Sequence, residues 1–392
     1  MPSISDILSQ GMEGIVDEYS THSGALSKVA PALRQRLIEE GLIAKFTRGD
    51  ISEKSLVAID GGRLKEDMAG GDLVIVGATA GEGHSTVPVY TEDTVPAEAY
   101  AAVLPHRTSN DKLAGGIMSA LELRLLETAL ADIQIIDGAY INNVSQIVYT
   151  LLENDDTTID TFFKAINYDE DGLLRQSMNK VLYPPRNNGE RTLIALPKSD
   201  TAKIFAHAYI EGDLFLQELV SDRILASRLL LPGEMFIPRN VASNNNLIQK
   251  LERKTYRRYE GEHQELYVSM LDMKLEYFRR LNVSATEEGI LWATYFKPNI
   301  GTPTSKAMKI EFPYYQSQAE GGTKGMLLHA QKLIGMVDAD MIDGFIIEPW
   351  SQYMADVRAK DVSAAKDIIK NYLVSVTDDP HELAGLLRNY RT

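Results

Sequence analysis

Ile4, Ile7, Leu8, Met12, Ile15 and Val16 recur at helical spacing over residues 4–17, and Leu26, Val29, Leu33, Leu37 and Ile43 repeat the pattern over 26–43. The spacing predicts an amphipathic helical arm, with packing as its default role. From Ser55 the period changes. Short apolar runs over 56–60, 72–76 and 86–90 predict strands, the last two joined by a glycine-rich loop. Residues 113–131 read as one helix, 133–137 as a strand ended by Asp137-Gly138, 140–182 as helices, and 192–196 as a strand after a Pro/Asn/Gly loop. Residues 214–231 fit a helix, 291–296 and 307–312 paired strands, and 324–337 and 350–375 helices. Alternating strands and helices predict an α/β or mixed α+β fold. The expected division is an arm over 1–50, a core over 51–204, an insertion over 205–290 and a core completion with C-terminal helices over 291–392.

Composition narrows the function. The chain has 392 residues, 44% hydrophobic, so a sizeable core is available. The absence of cysteine removes disulfides, thiolate-bound zinc, iron–sulfur clusters and thiol nucleophiles. A net charge of −15 argues against coating nucleic acid with a generally basic surface, although a local groove remains compatible with it. The densest basic stretch, Arg253, Lys254, Arg257 and Arg258, is a candidate groove or a solvated helix face. Met1-Pro2-Ser3-Ile4-Ser5-Asp6 does not resemble a signal peptide, and no ~18-residue apolar run marks a membrane span. The expectation is a cytoplasmic protein with no membrane association, in which the Asn143-Val144-Ser145 and Asn282-Val283-Ser284 patterns are not used for glycosylation.

The glycine-rich loop Gly77–Thr86 invites comparison with a phosphate-binding loop. Aligned on Gly83-His84-Ser85, it has His84 where lysine is needed and Ala78 where the first glycine should stand. A hairpin loop is the better reading. Asp60 and Asp137 carry more information, because each ends a short hydrophobic run and is followed by glycine. A carboxylate held rigidly at a sheet edge is suited to bridging a metal ion to a substrate. Glu122 lies between them on a helix able to pack against that sheet. Asp356 lies on a helix after the Glu348-Pro349 break, and its bland reading is a solvated helical face.

Val57-Ala58-Ile59-Asp60-Gly61-Gly62, Ala120-Leu121-Glu122-Leu123-Arg124, Ile135-Ile136-Asp137-Gly138-Ala139, the strand running into Lys198, and Pro349 with Ala355-Asp356 resemble the motifs of NurA-type nucleases, in order, from residue 57 to about 361. The region 205–290 adds nothing to the likeness. The resemblance implies an RNase H-like core with a mixed sheet flanked by helices, Mn²⁺ or Mg²⁺ (two ions), DNA as substrate and a HerA-type hexameric ATPase as partner of a homodimer. It makes Asp60, Glu122, Asp137 and Asp356 metal ligands and Lys198 a phosphate contact. Glu127, on the same helix, is the alternative to Glu122, which is preferred because Leu-Glu-Leu-Arg fits the motif better. His329 does not match the family's C-terminal histidine or tyrosine and is left out. The implied activity is two-metal-ion phosphodiester hydrolysis in DNA end processing or anti-phage defence. The alternatives are an adaptor that has kept the fold and lost catalysis, and an actin-like nucleotide hydrolase, which the failed phosphate loop disfavours.

Overall fold

The computed structural model describes residues 24–90, 95–184, 191–198, 202–241, 259–284, 291–315, 322–345 and 347–375. Residues 4–17 of the expected arm and the basic stretch Arg253–Arg258 lie outside them. The strands are β1 (Ile43–Lys45), β2 (Leu56–Met68), β3 (Gly71–Glu82), β4 (Ala97–Leu104), β5 (Ile133–Asp137), β6 (Thr192–Leu196), β7 (Glu234–Phe236), β8 (Arg239–Asn240), β9 (Leu291–Lys297) and β10 (Met308–Pro313). The helices are α1 over 24–39, then α2 (Asn110–Thr128), α3 (Asn142–Glu153), α4 (Asp156–Ala165), α5 (Leu173–Leu182), α6 (Ile204–Tyr209), α7 (Leu214–Leu219), α8 (Asp222–Leu229), α9 (Gln264–Ser284), α10 (Gly322–Ala339), α11 (Trp350–Ala359) and α12 (Asp361–Ser375).

One sheet runs through the molecule in the order β1-β7-β9-β10-β6-β5-β2-β3-β4, with β8 paired to β9. β2, β3 and β4 form an antiparallel meander, while β5 lies parallel to β2 and β6 parallel to β5. This is the mixed sheet of an RNase H-like core. Ile59, Ile136 and Ala195 point to one face, where α2–α5 build the largest apolar cluster. Ala58, Ile135 and Ile194 point to the other, beneath α10 and Ala355 of α11. Both faces are covered, so the central strands read as apolar runs without alternation.

Three strand expectations change. Asp60 does not end β2, which continues to Met68, because β3 supplies an antiparallel partner along the whole stretch. Residues 77–82, expected in a loop, belong to β3; the missing side chains of Gly77 and Gly81 let helices approach. Residues 86–90 are not a strand. Pro88 removes a ladder donor, and the N–H groups of Val89 and Tyr90 instead donate to Glu82 Oε1 at 2.5 and 2.8 Å. Strand β4, with its alternating burial, was not anticipated.

Candidate active site

The parallel register sets Ile59 beside Ile136, so Asp60 and Asp137 follow on neighbouring strands at the same level of the sheet. Gly138 turns the chain away from β5 with φ +97°, a conformation glycine adopts without strain. Tyr140 N–H then donates to Glu311 Oε2 of β10 at 2.7 Å, which pins the loop behind Asp137.

Gly61 serves a different purpose. A Cβ there would collide with Glu122 Oε1 and come within 2.5 Å of Met118 Cγ, so the missing side chain is what allows α2 to press Glu122 against β2. Glu122 is buried and accepts a hydrogen bond from Asn143 Nδ2 at 2.6 Å. Glu127 faces elsewhere and pairs with Lys180 at 2.6 Å.

On the opposite face, α11 is set flush against the sheet. A Cβ on Gly81 would strike Ser351 O and lie 2.5 Å from Ala355 N, and one on Gly62 would strike Ala359 O. The helix start is fixed by buried Asp340, whose Oδ2 accepts Ser351 N–H at 2.9 Å and whose Oδ1 accepts His84 N–H at 2.6 Å. Burial pushes Asp340 up to about 6. Docked in this way, α11 presents Gln352, whose Nε2 donates to Asp137 Oδ1 at 2.8 Å, and Asp356 one turn later.

Lys198, just beyond β6, joins these elements. Its Nζ lies 3.1 Å from Asp137 Oδ2, 3.1 Å from Glu348 Oε1, 3.7 Å from Asp356 Oδ1 and 4.0 Å from Asp60 Oδ2. Lys360 adds a second cation, 2.6 Å from Asp356 Oδ2. Asp60, Asp137 and Asp356, three of the four acids singled out in the sequence, therefore meet around the ammonium of the fifth residue, Lys198, and Glu122 stands against Gly61 beside them. Glu348, Gln352 and Asn143 were not singled out. An acid immediately before the helix-opening Pro349 was a usable signal for Glu348; the two amides gave none.

The electrostatics are those of crowded acids. Burial first, then the Asp137 charge, raises Asp60 to about 7, against partial relief from Lys198 and the Gly61 N–H. Burial, with Asp60 and Asp137 adding, pushes Glu122 well above the usual carboxylate range. Burial alone would lower Lys198, but Asp137 and Glu348 outweigh it and hold the ammonium above its ordinary range. Burial would likewise raise Asp356, yet the Lys360 and Lys198 ammoniums keep it below its ordinary value.

Five carboxylates thus face two lysines. The donors are hard oxygens, the type that Mg²⁺ and Mn²⁺ prefer. Glu348 Oε1 is buried and, despite its nearness to Nζ, makes no aligned hydrogen bond. The set fits a divalent cation in charge and donor type. Its geometry is that of an ion-pair network, and among the described residues no three acidic or imidazole side chains already stand as a metal-ligating group. Lys198 Nζ occupies the centre of the positive charge that the acids require.

The architecture has known counterparts. A crystal structure of the NurA nuclease from Sulfolobus solfataricus superposes with a TM-score of 0.53 over 93% of this chain and 98% of that one, at 11% identity. The chain has the NurA fold. A NurA structure bound to dAMP and manganese superposes with a TM-score of 0.52 over 96% of this chain and 99% of that one, at 12% identity. No protein-family model matches the sequence, and no curated protein sequence matches it. Among the described residues, no helix is long and apolar enough to cross a membrane.

Proposed function

We propose that the protein is a metal-dependent DNA nuclease that hydrolyses phosphodiester bonds by a two-metal-ion mechanism. The observation that carries the reading is the meeting of Asp60, Asp137, Glu348 and Asp356 around Lys198, with Glu122 adjoining, in a chain with the NurA fold. Asp60, Glu122, Asp137 and Asp356 would hold Mn²⁺ or Mg²⁺, with Glu348 as a further donor. Divalent cations bound there supply Lewis acidity for the scissile phosphate and for the attacking water. The chain's own groups prepare the site. Gln352 orients Asp137, Asn143 orients Glu122, and Lys198 would contact a phosphate oxygen. Asp60 is the group that exchanges a proton near neutrality. We further assign the protein a homodimeric state and a HerA-type hexameric ATPase as the partner that delivers DNA, acting in end processing or anti-phage defence.

The second reading is a catalytically inactive adaptor, in which the Lys198 ion pairs serve only to hold β2, β5 and α11 together. Cleavage assays separate the two. Asp60→Asn or Asp137→Asn should reduce Mn²⁺-dependent cleavage of a DNA oligonucleotide by at least about 100-fold, because a hard ion loses a charged ligand. Lys198→Ala should be milder, since it leaves the proposed ligands in place. A parent protein inactive with Mn²⁺ and with its ATPase partner would establish the adaptor. Aspartate variants that cleave like the parent would refute the site.

A further inference from the structure

Phe345, Trp350 and Tyr353 form an aromatic cluster that belongs to none of the apolar cores. The Phe345 ring lies 5.7 Å from Trp350 and 5.1 Å from Tyr353, and Trp350 lies 5.7 Å from Tyr353. Phe345 is 51% exposed and neighbouring Ile347 40%. Burial of Ser351, Gln352, Ala355 and Ala359 turns α11 so that this cluster stays outside the core. The cluster is continuous with the acidic site. Glu348 sits in the chain between Ile347 and Trp350, and Trp350, Tyr353 and Asp356 follow one another at three-residue steps, each advancing about 4.5 Å along the helix.

We propose that these rings are a stacking platform for the bases of a single DNA strand whose phosphate enters the carboxylate site. The inference rests on the nuclease reading. Charge supports it: in a chain of net charge −15, the cations paired with the site's acids among the described residues are Lys198 and Lys360, so phosphate contacts alone hold a strand weakly. Base–aromatic stacking adds affinity without charge and tolerates any sequence. Along the helix axis Tyr353 lies about 4.5 Å and Trp350 about 9 Å from Asp356, each step also turning about 60° around the helix, so bases stacked on Tyr353 would lie nearest the reacting phosphate.

The two tryptophans make the proposal measurable. Trp292 is 9% exposed, with its Nε1–H donating to Tyr314 O, which leaves Trp350 as the accessible emitter. In EDTA, a ten-nucleotide oligothymidylate should quench the emission of the full-length protein, and Trp350→Phe should abolish quenching while preserving binding by anisotropy. Phe345→Ala, Trp350→Ala or Tyr353→Ala should weaken binding about tenfold or more. An abasic oligomer of equal charge should bind the parent at least as weakly as those variants bind oligothymidylate. Phe345 is exposed enough that its alanine variant should fold, and circular dichroism checks each protein. Equal affinity for the abasic oligomer, or unchanged emission at saturation, overturns the proposal. So does a variant that dissociates toward monomer in sedimentation yet binds oligothymidylate normally, which would make the patch a contact between copies of the chain. Metal and cleavage play no part in this measurement. A parent that stacks but never cleaves therefore refutes the nuclease reading alone, and one that cleaves without stacking refutes only the platform.

Discussion

Asp60 is the residue at which a proton and the proposed metal ions would compete. Its carboxyl titrates at about 7 in the fold and near its ordinary 3.8 once unfolded. Between those values the folded chain holds a proton that the unfolded chain releases. The contribution to stability is therefore full below about pH 4 and is lost as pH rises through 7. In EDTA, thermal unfolding across pH 4–8 should show Asp60→Asn gaining on the parent as pH rises, because the amide has no charge to desolvate. A difference that stays flat would mean Asp60 is not strained by its neighbours. Metal follows the opposite trend: Mn²⁺ affinity, measured calorimetrically, should tighten through the same window as the competing proton leaves.

Helix α11 is seated by absences, the missing Cβ atoms of Gly62 and Gly81. Gly81→Ala would press a methyl group onto Ser351 O and Ala355 N, backbone atoms that cannot rotate away. The expected cost is about 1–3 kcal/mol of stability by chemical denaturation, with cleavage lost alongside because Asp356 moves with its helix. Unchanged stability would show that the helix has slack. These glycines also explain what could and could not be read from the sequence. The apolar runs ending at Asp60 and Asp137 announced two central strands, since a sheet covered on both faces shows its core as unbroken hydrophobic stretches. The same logic failed for residues 77–82, where glycine and alanine serve helix packing and resemble a loop. It failed again at 86–90, where a Glu82 side chain replaces a strand partner. Asp356 was visible as part of a motif, whereas Gln352 and Asn143 act through orientation, which leaves no periodic trace.

Across the molecule, the acidic balance limits how strongly the isolated chain can hold a polyanion. With Lys198 and Lys360 as the cations at the carboxylates, single-stranded DNA should bind the isolated protein with a slope of log affinity against log salt of about −1 to −2. A much steeper slope would place a broad basic surface elsewhere on the chain. The route of the chain through the sheet carries a further implication, in time. The acids come from positions 60, 122, 137, 348 and 356, so the cluster cannot exist until the ribosome has passed its last member. At a synthesis rate of about 5–20 residues per second, Asp60 waits roughly 15–60 s for Asp356. A nascent chain, or one truncated before α11, holds four of the five carboxylates but neither Asp356 nor Gln352, so the cluster closes only once the helix that carries them has been made.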